Sequence, residues 1–167
     1  MAELSQKERL QPSLLDRLVD DAPDSKQESR EQRVLSLNKL RQCVLRDLAW
    51  LLNSSKLDSI QNLDDFPLAK QSVINFGIID LVGTTLSSAE LKDIQRQIRQ
   101  SILNFEPRIL PNSLQVKIAA SDNQMNNNAM TFDIEGDLWA QPLPLRLYLR
   151  TELDLETGDM QIVERSS

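Results

Sequence analysis

Three groups of residues in this chain have types and spacings that could do chemistry. The first is a set of carboxylates. Asp133, Glu135 and Asp137 recur at every second residue, as do Glu152 and Asp154. On a strand, residues two apart share a face at roughly 6–7 Å. Glycoside hydrolysis asks for two carboxylates ~5–5.5 Å apart for retention or ~6.5–9.5 Å apart for inversion, so distance alone is easily met. The reaction also needs one carboxyl held protonated and a sugar cleft. The chain has 2 Trp, 1 Tyr and 4 Phe to stack on sugars, and the polar face of a solvated sheet gives the same carboxylate pattern without any function. The second group is Glu106-Pro107-Arg108. Proline fixes its own backbone angle, glutamate is acceptor-only, and arginine offers a planar fork of five donors suited to carboxylates or to the carbonyls that end a partner helix. Two charged groups on a stiff corner lose little entropy on docking. The plainer reading is a helix stop with an exposed or internal ion pair, worth ~0–1 kcal/mol. The third is the single thiol, Cys43.

The residues that are missing narrow the field further. With no histidine, Ser-His-Asp and Cys-His catalysis and His-ligated zinc or haem are excluded. One cysteine allows neither an internal disulfide nor a thiolate metal cluster. Gly77, Gly83, Gly136 and Gly158 do not fit a dinucleotide or Walker A loop. No catalytic residue, cofactor or metal is assigned. The net charge of −6 argues against nonspecific nucleic-acid binding. It is unevenly spread: acidic residues outnumber basic ones 8 to 5 over 1–32 and 9 to 3 over 121–167, while 33–62 is basic, 5 to 2. Solvated faces account for such a pattern. The first eight residues lack an apolar leader region, and no run of ~18 apolar residues is present to insert in a bilayer. The expectation is a cytoplasmic chain with no small-molecule substrate.

The elements that must position these groups are legible in the apolar spacing. Residues 1–32 read as an arm. In it Leu14, Leu15, Leu18 and Val19 fall on one side of a short helix capped by Ser13, with Asp16 in the first turn, followed by a polar linker. So short a helix is not stable alone and must dock, on its own domain or on a partner. Residues 33–167 read as one domain. Leu37, Leu40, Val44, Leu48 and Leu51 step by 3, 4, 4 and 3 and predict a helix over 33–53. Residues 72–82 read as a short, largely buried element. Leu86, Ser87, Glu90 and Leu91 form a capping box and hydrophobic staple, opening a helix whose stripe is Leu91, Ile94, Ile98, Ile102 and Phe105. Pro107 should end it near Phe105. The period then becomes two: Leu114, Val116 and Ile118; Met130, Phe132 and Ile134, with Gly136 suggesting a bulge; Leu143 through Leu155; and Met160 with Ile162 after a turn at Glu156–Asp159. Helices first and strands afterwards predict an α+β fold with an antiparallel sheet of about four strands.

Five strings fall together in this order: Pro12-Ser13-Leu14-Leu15-Asp16-Arg17-Leu18, Val44-Leu45-Arg46-Asp47-Leu48-Ala49-Trp50-Leu51-Leu52-Asn53, Ser72-Val73-Ile74-Asn75-Phe76-Gly77, Phe105-Glu106-Pro107-Arg108, and Arg150-Thr151-Glu152-Leu153-Asp154-Leu155-Glu156-Thr157-Gly158. Together they resemble the TssE family of the type VI secretion system, from about Ser13 to Val163. That family is similar in turn to a small baseplate-wedge protein of contractile-tailed phages, once labelled lysozyme-like. The departures are Phe76 where the family has tyrosine and an Asn-rich loop at 121–128. The resemblance implies a structural, non-enzymatic baseplate subunit in the cytoplasm, at the inner membrane. It would join the wedge (TssF, TssG, TssK) to the contractile sheath (TssB, TssC) and help to initiate sheath assembly. It also implies that Glu106, Pro107 and Arg108 dock on the wedge's helical core bundle.

Two further surfaces follow from the residues themselves. The strand at 143–155 could accept a sheath strand if it lies at an edge, although Pro142 and Pro144 argue that its start is not central. Leu14, Leu15 and Leu18 could dock the arm on a neighbouring subunit. The rival readings are a cell-wall-cleaving lysozyme-like glycosidase and an unrelated cytoplasmic adaptor.

Overall fold

The structure, a computed structural model, describes residues 13–18, 37–81, 88–119, 129–140 and 144–164. Two long helices form where apolar residues recur at helical spacing. Helix α1 is the short Leu14–Leu18 turn. Helix α2 spans Leu37–Leu52 and buries Leu40, Cys43, Val44, Leu48, Leu51 and Leu52. Leu37, counted on that buried stripe by periodicity, is exposed, and residues 33–36 of the expected helix lie outside the described residues. After the short α3 (Pro67–Lys70), helix α4 spans Ser88–Phe105 and buries Ile94, Ile98 and Ile102. It stops where Pro107 requires. The capping box and staple rest on Leu86 and Ser87, which lie outside the described residues.

Four strands follow: β1 (Gln115–Ala119), β2 (Ala129–Leu138), β3 (Leu145–Asp154) and β4 (Met160–Glu164), paired antiparallel in chain order. The fold is α+β, helices first, as the change of period implied. Strict alternation turns Val116, Phe132, Ile134, Leu138, Leu147, Leu149 and Leu153 inward, where α4 covers β1 and α2 covers β4. Leu48, Leu51, Ile98 and Ile102 meet them in one core. The end of α2 is sewn to β4: Asn53 Nδ2 donates to the Met160 carbonyl at 2.9 Å, and the Met160 N–H donates to Asn53 Oδ1 at 2.8 Å.

One open question is answered and two expectations change. β3 is not an edge strand: it pairs with β2 along its whole length and with β4 over Leu149–Leu153, so among the described residues the edges are β1 and β4. Gly136 makes no bulge, since the β2–β3 register runs unbroken from Ala129↔Asp154 to Leu138↔Leu145. It is instead a site of close approach, where a Cβ would lie 3.0 Å from Ile109 Cγ2. Residues 72–81, the described part of the stretch 72–82, are only partly buried. Val73 and Ile74 form an exposed 3-10 turn, while Ile78 and Leu81 enter the core. An apolar run has no period by which to tell these apart.

Candidate functional site: the Glu106–Arg108 corner

The corner is fixed from two directions. The Glu106 N–H still donates to the Ile102 carbonyl at 2.8 Å, so the end of α4 carries it. Past the proline, the chain clips onto the end of β2. Trp139 N–H donates to the Arg108 carbonyl at 2.7 Å, and Leu110 N–H donates to the Asp137 carbonyl at 2.8 Å. Ile109 is 2% exposed and pins the turn to the core.

Glu106 faces inward, 3% exposed, and its charge is met within the corner. Its Oε1 accepts from the Arg108 N–H at 3.1 Å and from Arg108 Nε at 2.7 Å, and Oε2 accepts from Arg108 Nη2 at 2.5 Å. The same Nη2 reaches Asp47 Oδ2 on α2 at 2.5 Å. Asp47 Oδ1 takes Arg46 Nε at 2.9 Å and Nη2 at 2.7 Å, and Arg46 Nη1 lies 2.8 Å from Asp16 Oδ1 on α1. Ser13 Oγ donates to Asp16 Oδ2 at 2.5 Å and accepts the Asp16 N–H at 3.4 Å, the cap expected at the start of that helix. Five charges of alternating sign therefore run from arm to corner: Asp16, Arg46, Asp47, Arg108, Glu106. Burial works against the Arg108 charge, but hydrogen bonds and charge from Glu106, then from Asp47, more than reverse it and hold the proton more tightly than usual. Burial likewise opposes ionisation of Asp16. Hydrogen bonds from Ser13, Arg46 and Cys43 outweigh it and bring its pKa down to about 2. Burial, and then Asp16, push the Cys43 thiol up.

Each residue singled out in the sequence can now be located. Glu106 is inside and Arg108 is three-quarters covered. Arg108 Nη1 has no hydrogen-bond partner among the described residues. Pro107 stands exposed between them. Leu14, Leu15 and Leu18 are exposed, Leu14 and Leu18 by 73% each. The arm helix docks on its own domain through its polar side, Asp16 on Arg46, and turns its leucines outward. Trp139 was not singled out by sequence reasoning. It is 46% exposed and sits directly across from Arg108. Its signal was the alternation of β2: with Phe132, Ile134 and Leu138 inward, Trp139 must point out. Trp50, 52% exposed, carries the Arg46 guanidinium over its ring at 5.2 Å.

Two carboxylates on the open face of the sheet, Asp133 and Glu135, are engaged in cross-strand ion pairs. Asp133 takes Arg150 Nε at 2.8 Å, and Glu135 lies 3.4 Å from Arg146 Nη2 and 3.8 Å from Lys117 Nζ. Asp154 accepts the N–H groups of Glu156 and Thr157 in the β3–β4 turn. No cluster of three or more metal-ligating side chains occurs among the described residues, and no helix there is long and apolar enough to cross a membrane.

Residues 38–143 match the family model of the baseplate wedge protein gp25, a span that includes α2, α4, the corner and β2. The chain is also similar to a solved protein from Geobacter sulfurreducens, provisionally described as a tail lysozyme. It shares 14% identity, with 80% of this chain and 100% of that one covered and a TM-score of 0.45. Likeness at that level carries no argument about activity. No curated protein matches the chain.

Proposed function

The chain belongs to the baseplate wedge protein gp25 family, and from that premise we propose that it is a structural subunit of a type VI secretion system baseplate. In this reading it works in the cytoplasm at the inner membrane, joins the wedge subunits TssF, TssG and TssK to the sheath subunits TssB and TssC, and helps to start sheath assembly. One observation carries the proposal: a rigid corner whose charges are neutralised from within and whose exposed parts are Pro107 and Trp139. A corner so built arrives at a partner already ordered, and tryptophan is favoured as an interface anchor. Glu106 and Arg108 then act chiefly as struts that hold the presented surface. Leu14, Leu15 and Leu18 offer a second, apolar contact on the arm. The outer sides of β1, and of β4 beyond the Met160 groups that Asn53 holds, have no strand partner among the described residues and are where a sheath strand could add. Asp133 and Glu135 of β2 are accounted for by pairing across the sheet, which does not favour a wall-cleaving reading.

Co-expression with wedge and sheath subunits tests the proposal. Wild-type chain should capture the wedge, and a Pro107→Gly/Trp139→Ser variant that unfolds like wild type in denaturant should lose it. Equal capture by both would move the contact to the sheet edge or the arm. Failure of the wild type to capture either set would refute the baseplate reading. Arg108→Glu is a poorer probe, since it would leave two carboxylates, one of them buried, facing a third.

A further inference from the structure

The segment between α2 and α4 is built inside out. Its interior holds a polar hub beside the buried Leu63. Asn75 is 6% exposed; its Oδ1 accepts the Asp58 N–H at 2.9 Å, and its Nδ2 donates to the Lys70 carbonyl at 2.8 Å. The Asp58 carboxylate takes the Leu63 N–H at 3.2 Å and lies 3.2 Å from Lys70 Nζ, which also reaches Asp64 at 2.8 Å. The base of the segment is clamped: Ile78 N–H donates to the Ser54 carbonyl at 2.8 Å, and Lys56 N–H donates to the Ile78 carbonyl at 2.9 Å. Gly77, at φ 127°, lies so close to Ser54 that a Cβ would stand 2.3 Å from its carbonyl oxygen. Much of the exterior is apolar. Ile60 is 84% exposed, Phe66 59%, Leu68 86%, Val73 79% and Ile74 60%.

A connection that merely had to span two helices would gain by the reverse arrangement. Five large apolar side chains held outward on a hydrogen-bonded frame present several hundred Å² in total, comparable to the largest apolar patch on a typical monomer, which is often functional. The frame is already ordered, so little entropy remains to be lost on binding. The segment consists of short helical turns with one isolated bridge, Ser55↔Ile78, and offers no strand ladder to a partner. Recognition must run through side chains, the mode in which an amphipathic helix is bound.

We propose that residues 57–76 dock an amphipathic helix of another protein, its apolar stripe on Ile60, Phe66, Leu68, Val73 and Ile74 and its flanks carrying Lys or Arg. The flanking charge follows from the rim. Asp64, with its side chain 71% exposed, and Asp65 face solvent, while Lys56 and Lys70 are turned onto Gln97, Asp58 and Asp64. A second copy would set the same two aspartates against their equals in a chain of net charge −6. The inference rests on this segment and not on the baseplate assignment.

The test titrates the full-length chain, by amide chemical shifts, with two synthetic amphipathic helical peptides, one of Leu and Lys and one of Leu and Glu. The Leu/Lys peptide should shift residues 57–76 and bind at least about tenfold more tightly than the Leu/Glu peptide. Leu68→Ser/Ile74→Ser, both exposed and so without cost to the fold, should weaken Leu/Lys binding by about tenfold or more. Asp64→Asn/Asp65→Asn should erase the preference between peptides. Shifts elsewhere, equal affinity for both peptides, or a dimer of the peptide-free chain that Leu68→Ser/Ile74→Ser abolishes would each overturn the proposal; the dimer would assign the surface to a second copy.

Discussion

Arg108→Met would separate the two halves of the corner's internal pair. Glu106 is 3% exposed, and the three hydrogen bonds its carboxylate receives among the described residues come from Arg108, one from the backbone and two from the guanidinium. Methionine keeps the backbone bond and the length of the stem but removes the other two. Charge-assisted bonds of this kind contribute about 1.5–3 kcal/mol each and do not add fully. Removing one partner of a buried pair costs about 3–5 kcal/mol because the other charge is left behind. The bond to Asp47 is between side chains about a quarter exposed and adds about 0–1 kcal/mol. Since Arg108 itself is not fully covered, the lower end applies, about 3 kcal/mol. In a domain of this size that is a fall of roughly 6–12 °C in Tm. Denaturant unfolding at pH 7 measures it, provided the slope is unchanged. Glu106→Leu/Arg108→Met removes both charges and should lie within about 1 kcal/mol of wild type, giving a coupling of about 2–3 kcal/mol. If Arg108→Met unfolds within about 0.5 kcal/mol of wild type, the pair is solvated and does not hold the corner.

Two further substitutions report on the arm and on the connecting segment. Gly77→Ala combines a left-handed φ, costing about 1–3 kcal/mol, with a clash against the Ser54 carbonyl; a loss of about 3 kcal/mol or more is expected, and a variant melting within about 2 °C of wild type would refute the close approach. Asp16 has a carboxyl held at about 2 instead of 3.8. Because the folded value is depressed, its contribution, roughly 2 kcal/mol, is fully present above pH 3.8 and is lost as pH falls through about 2. α1 should stay docked from neutral to mildly acid pH. Asp16→Asn should release it at pH 7, exposing Cys43, whose raised thiol reacts slowly in wild type; equal alkylation rates would refute the contact.

The periodic elements were legible because burial imposes a period. α2, α4 and all four strands follow from apolar spacing alone, and the helix stop before Pro107 follows from the geometry of the ring. The pairing of Glu106 with Arg108 was open to two readings, since a spacing of two residues at a turn says nothing about which way the side chains face. Asp47 could not be foreseen, because it reaches the corner only when α2 and α4 pack side by side. Nor could the orientation of α1: its leucine stripe suggested an apolar dock, and the ion pair of Asp16 with Arg46 won. The inverted segment was least legible. Its alternation of polar hub and apolar rim has no repeat, and the residue that organises it, Asn75, looks in sequence like any turn residue.

The double hydrogen bond between Asn53 and Met160 also bears on how the chain folds. The two residues are 107 apart, whereas each strand pairs with its neighbour in sequence. The sheet can zip up through local hairpins, which close quickly. The seam between the first long helix and the last strand must wait for nearly the whole chain, and its closure entropy, growing as the logarithm of the span, falls on a single late step. Until β4 arrives, α2 holds an apolar side with nothing to cover its end. The last strand therefore acts as the clasp of the domain, and the rate at which the molecule becomes compact should follow that one long-range encounter more than any hairpin.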